Sequence, residues 1–336
     1  MKILGINNED TKLVITLFNK KFVINKTDDV YRTILSSWNK DGCSENLISI
    51  LRLIYFNSKY WDLNYKDIWL IYICCLLKKQ DKKTALKVLH HYVLKFGLSN
   101  IEQFLPVAKL AVLNGINSES IEYAAQLFDM FELNKNNSWL DSLINKSIAV
   151  VGNGSQLQGL GKGKEIDSHD VVIRFNKFTT KGFEEDCGKR TDIWVTLNTL
   201  KENLEVDNLD FIILANHYDY WTHKVDLKFT KQIIKNNSNI HIISKEIMED
   251  ARNYLGTDFY NPTTGCALIL CLYNKFRNLD NVDFYGFGFL NDKFKPLDHY
   301  YTKVSKRHSK KAQEMHSFEE ESRFLKQFVQ NAKFVE

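Results

Sequence analysis

From residue 148 onward, short β-branched or aromatic runs alternate with helical stretches, and this alternation constrains the fold more than any other feature. The runs are Ile148–Val151, Val171–Phe175, Ile193–Leu197, Phe211–Ala215, Ile240–Ile243 and Val282–Tyr285. Helical stretches such as Lys245–Tyr254 and Thr264–Phe276 lie between some of them. The pattern predicts an α/β domain with a Rossmann-like, mostly parallel sheet flanked by helices. Because ligands of such sheets bind beyond the carboxyl ends of the strands, we expect the site on the loops after the first, second and last runs.

The first 140 residues follow a different pattern. Residues 12–25 carry two β-rich runs around a polar break, which predicts a short hairpin. From about residue 28 to 135, apolar residues recur with helical spacing, as at Leu47, Ile50, Leu51 and Ile54. The sequence therefore predicts two domains. A mainly α-helical domain of unknown role covers 1–140, and an α/β domain covers 146–336.

Composition narrows the class of protein. A net charge of +4 suits anionic ligands and does not indicate a nucleic-acid partner. The amino-terminal residues lack the apolar core of a signal peptide, and the longest apolar run, Ile68 to Leu77, is about half the length that spans a bilayer. The six cysteines form no Cys-x-x-Cys pair and no secreted-type framework. We therefore expect a cytoplasmic protein.

A glycine-rich segment follows the first run. It reads Gly152-Asn153-Gly154-Ser155, with Lys162 and Lys164 further on. Glycines after a strand let backbone N–H groups approach a phosphate, and Asn153 adds an amide donor. The dinucleotide fingerprint G-x-G-x-x-G fails because Leu157 stands where the third glycine belongs. This departure counts against a nicotinamide-dependent oxidoreductase.

A second feature suited to a nucleotide is the predicted helix start at Thr263-Thr264-Gly265. A helix N-terminus presents backbone N–H groups and the positive end of the helix dipole. An ordinary capped helix explains these three residues equally well. It does not explain the Tyr-Gly-Phe-Gly-Phe sequence that begins at Tyr285.

Taken in order, these segments resemble the sialylmotifs of the animal-type sialyltransferases, glycosyltransferase family 29. The long motif is matched over about 50 residues by the first strand, the Gly-Asn turn, IDSHDVVIRFN (166–176) and GFEEDCGKRT (182–191). The short motif is matched by PTTG (262–265) and YGFGF (285–289). The third motif is matched by Asp298-His299-Tyr300-Tyr301, and the very short motif by His316 with Glu321.

The resemblance implies a sialyltransferase-type fold and an inverting transfer of sialic acid from CMP-sialic acid to a hydroxyl of a glycan or glycolipid acceptor. Histidine titrates near neutral pH, so His316 is assigned as general base and His299 as a second catalytic residue. The residues implied in donor binding are Gly152, Asn153, Gly154, Ser155, Asn176, Thr263, Thr264, Gly265, Tyr300 and Tyr301. Glu321 and Arg174 are implied as supporting residues.

No cofactor or metal is expected, because the donor is already activated and the sequence has no Asp-x-Asp pair. The segment Asp167-Ser168-His169-Asp170 imitates a Ser/His/Asp nucleophile set. Adjacent residues entering a strand point to alternate faces, so a structural turn is the better interpretation.

The sequence departs from the animal enzymes in two respects. Those enzymes carry an amino-terminal membrane anchor and a disulfide between the long and short motifs. Here Ser147 and Phe276 stand at the positions that match the two cysteines. A bacterial, cytoplasmic enzyme that acts on capsule or lipopolysaccharide, with peripheral association at the inner membrane face, accounts for both differences.

Three alternatives stay open. A CMP-Kdo-dependent transferase has a related fold, and the matched motifs mostly contact the nucleotide, so they separate the two sugars poorly. The others are a nicotinamide-dependent oxidoreductase and a non-catalytic scaffold in which the helical domain is the working part. The sequence indicates no oligomeric state.

Overall fold

The computed structural model of the protein describes most of the chain. The described residues are 5–9, 12–17, 20–25, 29–56, 66–134, 137–196, 209–215, 220–225, 227, 239–255, 262–287, 300–301, 318–329 and 333–335. The chain divides into two compact units. The first comprises Met1–Phe128 and Tyr218–Leu227, and the second comprises Asp129–His217 and Lys228–Glu336.

The first unit begins with an antiparallel sheet of β1 (Gly5–Glu9), β2 (Lys12–Leu17) and β3 (Lys20–Asn25). Thr16 pairs with Gly5 on one side and with Lys21 on the other. The predicted hairpin over 12–25 is confirmed as the β2–β3 pair. Strand β1 is an addition that the sequence pattern did not indicate.

Helices make up the rest of the first unit. They are α1 (Asp29–Asp41), α2 (Glu45–Phe56), α3 (Lys66–Lys78), α4 (Lys82–Phe96), α5 (Leu105–Leu113) and α6 (Glu119–Asn134), whose last residues belong to the second unit. Every residue of α3 from Ile68 to Leu76 is buried, so the longest apolar run is the central helix of this core. Among the described residues, no helix has the length and apolar character needed to cross a membrane.

The second unit is built on a sheet in which every strand pair is parallel. Its strands within the described residues are β4 (Ile148–Val151), β5 (Val171–Phe175), β6 (Ile193–Thr196), β7 (Phe211–Leu214), β8 (Ile240–Ile242), β9 (Val282–Tyr285) and β10 (Lys333–Val335). The accompanying helices are α7 (Gly163–Asp167), α8 (Glu184–Cys187), α9 (Lys245–Leu255), α10 (Thr264–Phe276) and α11 (Phe318–Phe328). The predicted α/β class is confirmed.

The strand order is β10-β9-β4-β5-β6-β7-β8. Strands β5 to β8 are added on one side of β4, and β9 and β10 are added on the other side, so the order of addition reverses between β4 and β9. Strands β4 and β5 are buried along their whole length, as expected for strands at the centre of a parallel sheet. Ligands of doubly wound sheets bind where the strand order reverses, beyond the carboxyl ends of the strands. Here that point lies beyond Val151 and Tyr285.

Candidate active site

The turns that follow β4 and β9 pack backbone against backbone. The N–H of Gly152 donates to Tyr285 O at 2.7 Å, and the N–H of Gly154 donates to Gly286 O at 3.0 Å. A Cβ atom at Gly152 would lie 2.6 Å from Gly286 O, and one at Gly154 would lie 2.5 Å from the same atom. The glycines are therefore explained by the close approach of the two turns. Both N–H groups are used inside the fold, so they do not point to a phosphate as the sequence predicts. A part for these two glycines in donor binding stays a prediction.

Asn153 lies between these glycines and connects three segments. Its Nδ2 donates to Phe175 O and to Lys177 O, both at 3.1 Å, and its backbone oxygen accepts from the N–H of Tyr300 at 3.1 Å. The sequence predicts that this side chain donates to a phosphate. Because both amide hydrogens are used within the fold, it cannot do so. Its acceptor oxygen Oδ1 is the atom that it can offer to a ligand. Ser155 follows in the 3-10 turn Ser155–Leu157.

Asn176 connects the end of β5 to the start of α10. It has a left-handed backbone (φ 47°), a conformation that Asn tolerates better than most residues. Its N–H donates to Val195 O at 2.9 Å, and its Nδ2 lies 3.5 Å from Thr264 Oγ1. Within the described residues, its Oδ1 is buried without a hydrogen-bond partner. A buried polar atom of this kind calls for an explanation, and a ligand at this point supplies one.

The N-terminus of α10 is held by a buried carboxylate. Glu321 of α11 accepts from the N–H of Thr263 at 2.8 Å and from its hydroxyl at 2.6 Å, and Glu321 is fully buried. Burial raises the pKa of Glu321 to about 7, although the two hydrogen bonds from Thr263 act in the opposite direction. Thr263 in turn caps the helix, since its Oγ1 accepts from the N–H of Cys266 at 3.2 Å.

These contacts leave two donors at the helix start. The first backbone N–H groups of a helix have no intrahelical partner. The N–H of Thr263 donates to Glu321, and the N–H of Cys266 donates to the capping hydroxyl of Thr263. The N–H groups of Thr264 and Gly265 have no partner among the described residues. Two adjacent N–H groups at the positive end of a helix dipole are suited to an anion.

The two tyrosines of the third matched motif dock on the loop that follows Asn176. The hydroxyl of Tyr300 donates to Thr179 O at 2.5 Å, and that of Tyr301 donates to Lys177 O at 2.6 Å. Tyr300 is buried against Phe183, and burial raises the pKa of its hydroxyl. The tyrosines therefore join the third motif to the long motif.

Arg174 performs a supporting task that can be stated in atoms. Its side chain is almost fully buried, and burial lowers its pKa. Nε donates to Arg190 O at 2.9 Å and Nη2 to Cys187 O at 2.6 Å, while Nη1 has no partner among the described residues. The guanidinium thus fixes the loop between Cys187 and Thr191 to the sheet.

Acidic residues of the long motif are also used inside the fold. Asp167 accepts from the N–H groups of Lys189 and Arg190, and Asp186 accepts from those of Gly159 and Gly161. The structural interpretation of the segment Asp167–Asp170 is confirmed, since these side chains form no Ser/His/Asp set. His169 instead contacts Glu165 O and Asp283, and the hydroxyl of Ser168 donates to Glu165 O.

Lys162 does not face the helix start. Its Nζ lies 2.6 Å from Glu165, and with Lys333 it lowers the pKa of that carboxyl to about 2. No cluster of three or more potential metal ligands occurs in the described part of the chain.

The structure thus brings Asn153, Asn176, the start of α10 and Tyr300 to one edge of the sheet. The predicted catalytic residues His299 and His316 both lie outside the described residues. What the sequence missed is the direct contact between Glu321 and Thr263, because it paired Glu321 only with His316. It also missed Phe287, whose ring would lie 3.1 Å from a Cβ at Gly265.

Comparisons with known proteins indicate the family. The profile of glycosyltransferase family 29 (sialyltransferase) matches residues 98–333. The chain is 30% identical over 173 residues to CMP-N-acetylneuraminate-beta-galactosamide-alpha-2,3-sialyltransferase 1 of Mus musculus, covering 44% of this chain and 48% of that protein. It is 29% identical over 217 residues to CMP-N-acetylneuraminate-beta-1,4-galactoside alpha-2,3-sialyltransferase of Rattus norvegicus. That match covers 56% of this chain and 57% of the rat protein.

The matched part spans about half the length of these two relatives. A crystal structure of a mammalian sialyltransferase aligns with a TM-score of 0.46 at 22% identity, covering 68% of this chain and 83% of that one. All six cysteines lie in the described part of the chain, and none of them forms a disulfide.

Proposed function

The chain belongs to glycosyltransferase family 29, whose profile covers more than half of it, and we propose that it transfers sialic acid from CMP-sialic acid to a hydroxyl of a glycan acceptor. Two findings support this activity: the family membership and the polar groups at the edge of the sheet. The observation that carries it is the start of α10, where the N–H groups of Thr264 and Gly265 are available beside Asn176.

The chemistry assigned to these groups is stabilisation of the departing nucleotide. In the transfer, the acceptor oxygen forms a bond to the anomeric carbon of the sugar while the bond from that carbon to the phosphate oxygen of CMP breaks. Negative charge grows on the phosphate as the bond breaks. N–H groups fixed by the fold stabilise such charge, typically by about 2.7–4 kcal/mol for each well-placed donor. The acceptor oxygen Oδ1 of Asn153 is suited to hydroxyl or amino groups of the nucleoside.

We assign His316 as the general base that takes the proton of the acceptor hydroxyl, with inversion at the anomeric carbon. His299 is assigned to the phosphate side. Tyr300 has no donor left for a phosphate, because its N–H donates to Asn153 O and its hydroxyl to Thr179 O, so its part is to hold the third motif against the donor site. No metal or cofactor enters the proposed reaction.

The setting proposed for the enzyme is the cytoplasm of a bacterium, where it acts on capsule or lipopolysaccharide and associates peripherally with the inner membrane face. Ser147 and Phe276 support this setting, since they stand at the positions that match the disulfide cysteines of the animal enzymes.

The donor is tested by incubating the protein with CMP-Neu5Ac or CMP-Kdo and following CMP release in the presence of a glycan acceptor. We expect release from CMP-Neu5Ac. Release from CMP-Kdo alone would identify the Kdo transferase instead, and release from neither would contradict the proposed function.

The base is tested by His316→Ala. Loss of general-base catalysis is expected to reduce turnover at least ~100-fold while CMP binding, measured by calorimetry, is retained. The exposed His90 provides the control, and His90→Ala should leave turnover with a soluble acceptor unchanged. Retained turnover in His316→Ala would refute the assignment.

A further inference from the structure

The outer face of α4 is basic along its whole length. The helix contains Lys82, Lys83, Lys87 and Lys95, and it has no aspartate or glutamate. All four lysines are exposed, whereas Ala85, Val88, Leu89 and Tyr92 on the inner face are buried. The helix therefore presents a positive surface to solvent, next to two exposed histidines, His90 and His91.

Two of these lysines stand where helix stability argues against them. Asp81 caps α4 by accepting from the N–H of Thr84 at 3.1 Å, so Lys82 and Lys83 occupy the first two helical positions. The positive end of the helix dipole disfavours cations there and favours Asp or Glu. A residue choice that opposes the local preference is expected at positions selected for another property.

The same surface carries exposed apolar side chains. Lys83, Lys87, His90 and Leu94 follow the i, i+4, i+7, i+11 spacing, which places them on one stripe about 16 Å long. Leu94 is 86% exposed at the end of this stripe, and Leu98 follows at 37%. An apolar residue with that exposure, in line with two lysines, distinguishes this stripe from a merely solvated helix face.

Helix α2 contributes an exposed aromatic side chain near the point where it contacts α4. The hydroxyl of Tyr55 lies 2.7 Å from Nδ1 of His91, which places the end of α2 against the middle of α4. The neighbouring Phe56 is 75% exposed, and its ring lies 5.1 Å from that of Tyr55. A surface that combines lysines with exposed Leu and Phe has the composition of one that enters the interface of an anionic membrane.

We propose that the outer face of α4, together with Phe56 and Leu98, docks on anionic phospholipids. Lysine ammonium groups would contact lipid phosphates while Leu94, Leu98 and Phe56 enter the headgroup region. This inference rests on the membrane association suggested under the proposed function and assigns it to a surface and a lipid class. An acidic protein or polysaccharide would match the lysines, but it gives no reason for the exposed apolar side chains.

The test is co-sedimentation of the full chain with vesicles of phosphatidylcholine, with and without phosphatidylglycerol. We expect binding only to the vesicles with phosphatidylglycerol, and weaker binding at high salt because mobile ions screen the attraction. The variant Lys83→Glu/Lys87→Glu should lower the partition coefficient at least ~30-fold, and Leu94→Ser about tenfold. The control Arg32→Glu/Lys40→Glu makes the same change of net charge on exposed residues of α1 and should bind like the unmodified chain.

Equal binding to both kinds of vesicle, or an equal loss in the α1 control, would overturn the proposal. The proposal would also be overturned if the chain bound immobilised polyglutamate through Lys83 and Lys87 but bound no vesicles. The partner would then be an acidic macromolecule. CMP release with a soluble acceptor is measured on the same preparations. Vesicle binding without CMP release would contradict the proposed activity and still support the docking surface.

Discussion

At the scale of single residues, Glu321 is the one whose charge state matters most. It is a fully buried carboxyl whose hydrogen bonds come from the backbone and hydroxyl of one residue, Thr263, and not from a cation. Desolvation disfavours the ionised form, which explains why the pKa rises to about 7. The start of α10 is therefore tied to a group that titrates near neutral pH.

This pKa predicts how stability depends on pH. The native pKa of Glu321 lies above the ordinary value of 4.5, so between these pH values the folded chain holds a proton that the unfolded chain has released. The contribution of this group to the free energy of unfolding is fully present below about pH 4.5 and is lost as the pH rises through about 7, by up to about 3 kcal/mol.

The measurement is urea unfolding of the unmodified chain and of Glu321→Gln at pH 5 and pH 8. Glutamine does not ionise, so the variant should gain stability relative to the unmodified chain as the pH rises. Glu319→Gln, at an exposed position of the same helix, should show no such trend. A stability difference between Glu321→Gln and the unmodified chain that is the same at both pH values would mean that Glu321 stays ionised throughout.

At the scale of elements, α10 joins the structural and the proposed chemical roles of the site. Its cap consumes two backbone N–H groups and leaves those of Thr264 and Gly265 at the sheet edge. If the cap is lost, the first turn can fray, and the remaining donors lose their fixed direction. The capping hydroxyl should therefore affect both stability and nucleotide binding.

Thr263→Val tests this link, because it removes the hydroxyl and keeps the shape. Loss of the cap costs about 1 kcal/mol, and the buried Glu321 loses a hydrogen bond worth about as much or more. We expect a destabilisation of about 2 kcal/mol or more by urea unfolding and at least ~10-fold weaker CMP binding by calorimetry.

Two variants separate this cap from caps in general. Thr263→Ser keeps the hydroxyl and should restore most of both properties. Ser118→Ala removes the cap of α6, where Ser118 accepts from Ile121, and should lower stability alone. Unchanged CMP affinity in Thr263→Val would separate the cap from the nucleotide site.

Sequence patterns predicted the elements around the site well, for a physical reason. Strands β4, β5 and β9 are short runs of apolar or aromatic residues, interrupted only by Arg174 in β5 and Asp283 in β9, and α10 starts at a capping threonine, so their limits follow from local chemistry. Strand β10 has three residues and no such run, so only its pairing with β9 defines it. The motif resemblance named site residues but not the use of each polar group. The amide hydrogens of Asn153 are an example, since the carbonyls that accept them belong to the last residue of β5 and to Lys177 just after it.

At the scale of the whole molecule, the two units are not consecutive along the chain. The sequence predicts a helical domain that ends near 140, whereas the first compact unit also includes Tyr218–Leu227. In that unit Tyr220 packs against Phe128, and the N–H of Val225 donates to Gln103 O at 2.8 Å. Lys224 pairs with Asp67 and donates to the hydroxyl of Tyr31. A segment inserted between β7 and β8 is thus part of the core of the first unit.

This arrangement predicts what happens when the first unit is removed. A chain that begins at Asp129 retains the segment 218–227 without the helices of the first unit, and it exposes apolar side chains that are buried in the full chain, including Tyr220 and Leu227. Exposed apolar patches of this kind promote association. We therefore expect the truncated chain to elute as aggregates in size-exclusion chromatography, and the same chain with Tyr220→Ser, Trp221→Ser and Leu227→Ser to elute mainly as a monomer. Elution of the unsubstituted truncated chain as a monomer would contradict the prediction. It would mean that the inserted segment does not depend on the first unit for its burial, and that the sequence-based boundary marks a separable domain after all.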